Sequence, residues 1–198
     1  MKYGREFLIG LSIVVLNASK VTAIPMVWVD TDPSTAGVQS SLSILLGNPF
    51  SVDVVITGVE AGQPLNAYEF DLLFDPFILG ATSVTSGGFL PAPAFVIESD
   101  TMSPDVNFTE FALVLSAVGD GVLASMNFDT LALGTSSLDL TNVILASSIP
   151  PGTQIPATLS DGSVTVTSTQ PIPEPSTVLL LGAGIVGLMG ARWRRLLR

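Results

Sequence analysis

Between Ile24 and Gln170 the side chains that ionise near neutrality are fifteen carboxylates; the stretch holds no Lys, Arg, His or Cys and carries a formal charge of −15. Chemistry in this body therefore falls to Asp and Glu. Two carboxylates flanking a glycosidic bond are the machinery of a glycoside hydrolase, and several converging on one point make a hard-oxygen site for calcium. Much else is excluded. Ser–His–Asp and Cys–His catalysis need an imidazole base, phosphate clamps need an ammonium or guanidinium, and zinc sites of the His/Cys type need ligands this stretch does not contain. Nucleic acid is excluded as well, because affinity for it comes largely from cations that neutralise phosphates.

The carboxylates offer few ready-made sites. Asp30-Thr31-Asp32 begins like an EF-hand loop, but the sixth position is Thr35 where glycine is needed and the twelfth is Ser41 where a glutamate should stand. Glu98 with Asp100, or Asp120 with Asp161, are the pairs that a fold would have to bring together to hold a structural calcium. No other cofactor is expected. Sugar binding works through exposed aromatic faces beside polar groups, and the body has one tryptophan, Trp28, and one tyrosine, Tyr68. Tyr68 alternates with Phe70, Leu72 and Phe74, which points it inward; Trp28 is the candidate ligand contact. Near the far end, Gly182-Ala183-Gly184-Ile185-Val186-Gly187 spells G-x-G-x-x-G. Only 11 residues follow it and none is acidic, so it lacks the second strand and ribose-binding carboxylate of a dinucleotide fold.

The elements that must position these groups repeat with a period of two. Val52, Val54 and Ile56 alternate with Ser51, Asp53 and Thr57, and Tyr68, Phe70, Leu72 and Phe74 with Ala67, Glu69 and Asp71. Comparable runs at 27–30, 79–85, 94–98, 106–115, 121–131, 137–146 and 162–167 bring the expected count to about nine strands. Turn chemistry separates them: Gly47-Asn48-Pro49, Asp75-Pro76, Gly87-Gly88, Gly119-Asp120-Gly121, Pro150-Pro151-Gly152 and Asp161-Gly162. Many short strands with regular turns predict an all-β fold, an antiparallel sandwich of Ig-like or jelly-roll type. A body of this length buries roughly 68–70% of its surface, enough to hold itself without disulfides.

The seven basic residues lie only at the ends. Residues 1–23 read as a secretory signal peptide: Lys2 and Arg5, then an apolar run from Phe7 to Leu16, then Val21-Thr22-Ala23 with cleavage after Ala23. The domain body is 24–169. At 170–198 comes a linker and a second signal, with Pro171, Pro173 and Pro175 favouring extended chain. Residues 176–191 are expected to form a short transmembrane helix, about 24 Å against a hydrocarbon core of about 30 Å. Ala183, Gly187 and Ala191 make a small-residue row suited to close helix packing. The basic tail 192–198, with Arg192, Arg194, Arg195 and Arg198, should stay cytoplasmic and leave the acidic body outside.

Two resemblances follow from these residues. Pro173-Glu174-Pro175-Ser176, the apolar Gly-rich run and the terminal arginines resemble the PEP-CTERM sorting signal of Gram-negative bacteria. That resemblance implies a membrane enzyme, exosortase, as a partner that removes the tail, transient anchoring in the inner membrane, and a destination at the cell surface or in an extracellular polysaccharide matrix. Asn48-Pro49-Phe50-Ser51-Val52-Asp53-Val54 is similar to the opening strand of the cohesin domain. Leu65-Asn66-Ala67-Tyr68-Glu69-Phe70-Asp71-Leu72-Leu73-Phe74-Asp75-Pro76 with Leu79 resembles that family's core motif, with Phe74 in place of its tyrosine. Gly119–Ala124 leading to Phe128, and Asp161–Val166, fit its last strands. This second resemblance covers about 48–167 and implies a nine-stranded jelly roll. The expected function is a non-enzymatic, exported binding module presented to polysaccharide or to a secreted protein. The alternatives are a carbohydrate-binding module acting in polysaccharide breakdown and a glycoside hydrolase that works with carboxylates alone.

Overall fold

The computed structural model describes residues 23–101 and 104–168. The leader up to Thr22, the sorting residues Pro173, Glu174 and Pro175, the expected helix at 176–191 and the four terminal arginines lie outside these. Among the described residues there are twelve strands and no helix: β1 (Met26–Asp30), β2 (Ser41–Leu45), β3 (Phe50–Val59), β4 (Leu65–Leu73), β5 (Leu79–Ser86), β6 (Ala94–Asp100), β7 (Asp105–Ala112), β8 (Gly119–Thr130), β9 (Gly134–Ser148), β10 (Pro151–Gln154), β11 (Thr158–Ser160) and β12 (Gly162–Thr167). They form two sheets, β11-β1-β3-β8-β5 and β2-β12-β9-β4-β7-β6, with β10 paired to β9.

Each of the nine alternating runs is a strand. The count of nine falls short by β2, β10 and β11, of five, four and three residues, which lie outside the nine alternating runs. The expectation of a wholly antiparallel sandwich is also corrected, since β1 pairs β11 in parallel and β2 pairs β12 in parallel. One run of chain near the C-terminus serves both sheets. β11 lies beside β1, the chain turns at Asp161, and β12 joins the other sheet between β2 and β9. Gly162 permits this close crossing, because a Cβ there would sit 2.8 Å from both the Val29 and Thr31 side chains.

Between the sheets the inward parity of each strand makes one apolar core. Val52, Val54 and Ile56 of β3 are fully buried, as are Phe128 and Met126 of β8, opposite Phe70, Leu72 and Phe108 of the second sheet. Phe128 stacks on Phe50 at 5.5 Å and meets the edge of Phe74 at 5.3 Å, while Tyr68 lies 6.1 Å from Phe108. Offset and edge-on geometries of this kind add to simple area burial.

One charged side chain interrupts the core. Glu110 occupies an inward position of β7 and is 3% exposed. Its carboxylate accepts hydrogen bonds from the Tyr68 hydroxyl and from Ser86 Oγ at 2.9–3.0 Å, and the Tyr68 oxygen also reaches the Leu123 carbonyl. Tyr68 and Glu110 belong to one sheet, Ser86 and Leu123 to the other. The node is therefore a polar cross-link between the layers. Burial above all, then the bond to Glu110 and its charge, holds the Tyr68 hydroxyl far above the usual phenol range.

Candidate functional site

The outer face of β6, β7, β4 and β9 brings together residues from four separate segments. Register lines them up in three rows. Phe95, Phe111, Ala67 and Ala146 follow one another across the sheet; then Glu98, Thr109, Glu69 and Ile144; then Asp100, Asn107, Asp71 and Thr141. The first row is apolar, the last polar and acidic. Phe95 stacks on Phe111 at 5.5 Å, and both Phe95 and Ile144 keep 45% of their surface exposed. A shallow depression of about 90 Å³ lined by Ala67, Tyr68, Glu69, Thr109, Ile144 and Ala146 opens at the middle.

Two irregularities shape this surface. A register shift between Val96 and Glu98 leaves Ile97 68% exposed at the edge. In β9 the register shifts opposite Glu69 and Asp71, where Asn142 adopts a φ of 51° and its amide donates to the Asp71 carboxylate. Asn tolerates this left-handed conformation better than most residues. A bulge of this kind bends the strand and re-aims side chains.

The residues singled out from sequence sit as follows. Trp28 lies half-buried on the outside of the other sheet, its indole N–H donated to Thr57 Oγ1 at 3.3 Å. Tyr68 is in the core, as its parity required. Glu98 and Asp100 share the outer face of β6, opposite Thr109 and Asn107. Asp120 and Asp161 are occupied separately: Asp120 accepts the Gly58 amide at 2.7 Å and Asp161 the Leu140 amide at 2.9 Å. The EF-hand-like stretch closes a loop. Buried Asp30 accepts the amides of Asp32 and Gln39, and Asp32 accepts the hydroxyls of Ser34 and Thr35, which hold its carboxyl below the usual range. Asp53 lies opposite Asp30; burial, with the Asp30 charge adding, raises its carboxyl above the usual range. Among the described residues no three carboxylates gather into a group that could hold a metal ion.

The apolar row and buried Glu110 were not foreseen. Glu110 had a signal, a carboxylate at inward parity in Val106-Asn107-Phe108-Thr109-Glu110-Phe111-Ala112. The row had none, since its members come from strands far apart in sequence and only register unites them.

Comparison with known proteins agrees with both halves of the chain. Residues 171–195 match the family model of the PEP-CTERM protein-sorting motif. The body is similar to the seventh ScaB type I cohesin of Pseudobacteroides cellulosolvens, with a TM-score of 0.60 and 19% identity over 76% of this chain and 97% of that one. It is similar also to a non-cellulosomal cohesin of the archaeon Archaeoglobus fulgidus, with a TM-score of 0.59 and 14% identity over 75% and 94% of the two chains. A type I cohesin–dockerin complex of Clostridium thermocellum gives a TM-score of 0.59 and 14% identity over 73% and 94%. No curated protein sequence matches the chain. This chain thus joins a β-sandwich of the cohesin fold to a PEP-CTERM protein-sorting motif.

Proposed function

We propose that the protein is an exported, non-enzymatic module that binds a secreted protein through the outer face of β6, β7, β4 and β9. The observation that carries this reading is the graded face itself, an aromatic pair at one side, Ile144 in the middle row with Glu98 and Glu69, and Asp71 and Asp100 in the row beyond. Apolar anchors ringed by polar groups are the usual anatomy of a protein interface. A body with no Lys or Arg between Ile24 and Gln170 would attract a basic partner and orient it. The cohesin fold supports a dockerin-like protein partner rather than a polysaccharide. Trp28, with its indole N–H already bonded and its ring half-buried, adds nothing to a sugar-binding reading.

Export and sorting belong to the same proposal. The leader is removed after Ala23, the tail is held in the inner membrane with its arginines cytoplasmic, and an exosortase-type enzyme acting at Pro173-Glu174-Pro175 releases the body to the cell surface or matrix. Protein recovered from the culture of its own host should have an intact mass that lacks residues 178–198; finding the arginines still attached contradicts this step.

The binding step is tested by retention of the host's secreted proteins on the immobilised protein. Glu69→Lys with Glu98→Lys should weaken capture by tenfold or more, roughly 1.4 kcal/mol, while leaving the sandwich folded, because both residues are exposed. Added matrix polysaccharide should leave capture unchanged. Retention that ignores the charge reversal, or that polysaccharide abolishes, overturns the reading.

A further inference from the structure

The described chain ends at Ser168, just past β12, and the surface around that exit is apolar. Thr167 lies beside Leu45 and its carbonyl accepts the Leu46 amide at 2.9 Å. Thr130 Oγ1 accepts the Gly47 amide at 2.7 Å, which brings Leu131 alongside, and the Leu131 amide donates to the Ile78 carbonyl at 2.8 Å. Val166 is paired with Gly134, next to Leu133. Leu45, Leu46, Phe77, Leu131 and Leu133 therefore ring one end of the sandwich, 40 to 83% exposed, with Phe77 at the upper limit. Five large apolar side chains, Leu45 at the end of β2 and the others on adjoining turns, form a patch of the kind that marks a protein or membrane contact.

The opposite end is apolar as well, with Leu113, Val114, Leu115 and Val118 exposed. Tether length separates the two. Residues 169–175 are seven residues that span at most about 25 Å even when fully extended, and the matched sorting motif begins at 171. The 12 residues of β8 run from one end of the sandwich to the other, a distance of about 36–40 Å at the rise of a strand. A chain held in the membrane from residue 176 onward cannot lay its far end on the bilayer. Nor does the outer face of the β11-β1-β3-β8-β5 sheet suit lipid, since it presents Ser51, Asp53, Ser125 and Asn127.

We infer that, until the tail is removed, the exit end of the sandwich rests on the surface of the bilayer that holds the tail, with Leu46, Phe77, Leu131 and Leu133 in the interfacial zone. This rests on the membrane-held tail of the proposed function and is independent of the partner-binding face. Aromatic and aliphatic side chains partition into that zone without spanning it. The contact fixes the body upright, so the β6-β7-β4-β9 face stands clear of the membrane. It also keeps the short segment 169–175 against the bilayer surface, where a membrane enzyme that cuts it must work.

The chain contains no cysteine, so single labels are unambiguous. The full chain is placed in phosphatidylcholine nanodiscs, with nitrobenzoxadiazole attached through Phe77→Cys, Leu131→Cys or Val114→Cys. Discs are compared with and without nitroxide-labelled phosphatidylcholine. Labels at 77 and 131 should be quenched at least about twofold by the lipid nitroxide, as expected of interfacial groups, and the label at 114 should not change. Adding Leu46→Ser and Leu133→Ser to the Phe77→Cys chain should remove most of its quenching. Equal quenching at all three sites, or none at 77 and 131 in a chain that stays with the discs, overturns the inference alone. A blue-shifted but unquenched label at 77 means a protein cover, such as a second copy, and overturns it too. A chain that fails to co-purify with the discs overturns the membrane-held tail and this inference together.

Discussion

Tyr68→Phe is expected to lower the unfolding free energy by about 1–3 kcal/mol, since it removes the one hydroxyl proton that two buried acceptors share. The acceptors are the Glu110 carboxylate and the Leu123 carbonyl, both bonded to the Tyr68 hydroxyl in a region where Tyr68 is 2% and Glu110 3% exposed. Ser86 remains to serve Glu110, which keeps the cost below that of a wholly abandoned charge. Because a domain of this size has only about 5–15 kcal/mol of stability, the urea midpoint should fall visibly. The pair is then closed as a cycle. Glu110→Leu alone leaves the hydroxyl with one acceptor, and Tyr68→Phe with Glu110→Leu replaces the bonded pair by apolar groups. The double variant should lose less than the two single losses added, by about 1–2 kcal/mol. Simple additivity would show that the hydroxyl and the carboxylate do not act as a unit.

The node also shows how far the sequence can be read. Alternation located nine strands and parity put Tyr68 in the core, but Glu110 was missed although it is a carboxylate at an inward position of β7. Nor did parity reveal Ser86 or Leu123 as partners, because these approach from the facing sheet. The two parallel pairings were hidden for a similar reason. β11 and β12 read as one closing run, and the division between sheets depends on Asp161 accepting the Leu140 amide and on the space left by Gly162. Neither is a local property of that run.

The candidate face was less legible still. Glu69 and Asp71 are polar alternates of Tyr68, Phe70 and Leu72, so their outward direction was plain. That Phe95, Phe111 and Ile144 would share a face with them depends on the pairing of four strands and on two bulges. A shift of one residue in any strand would have turned its apolar members inward. The apolar rim at the chain exit is scattered more widely, over the end of β2 at 45 and turns at 46, 77 and 131–133, and periodicity carries no information about which turns share an end.

Raising the pH isolates the same tyrosine in a second way. Between Ile24 and Gln170 there is no Lys, Arg, His or Cys, and the remaining tyrosine of the chain, Tyr3, lies in the leader. Above the carboxylate range Tyr68 is then the sole side chain of the body left to titrate. In the unfolded chain its hydroxyl ionises near pH 10; in the folded state burial and Glu110 push that ionisation much higher. The native state thus binds more protons than the unfolded state above about pH 10, and the slope of stability with pH is negative there. The stabilising contribution is fully present below the unfolded value and is lost as pH rises beyond it. Urea midpoints should hold steady up to about pH 9.5 and then decline, with stability falling by about 1.4 kcal/mol per pH unit. Tyr68→Phe should start lower at neutral pH and show no such decline, so the two curves converge in alkali. A parallel decline in both proteins would mean that the alkaline loss comes from elsewhere, and that the hydroxyl is not held protonated by the node between the sheets.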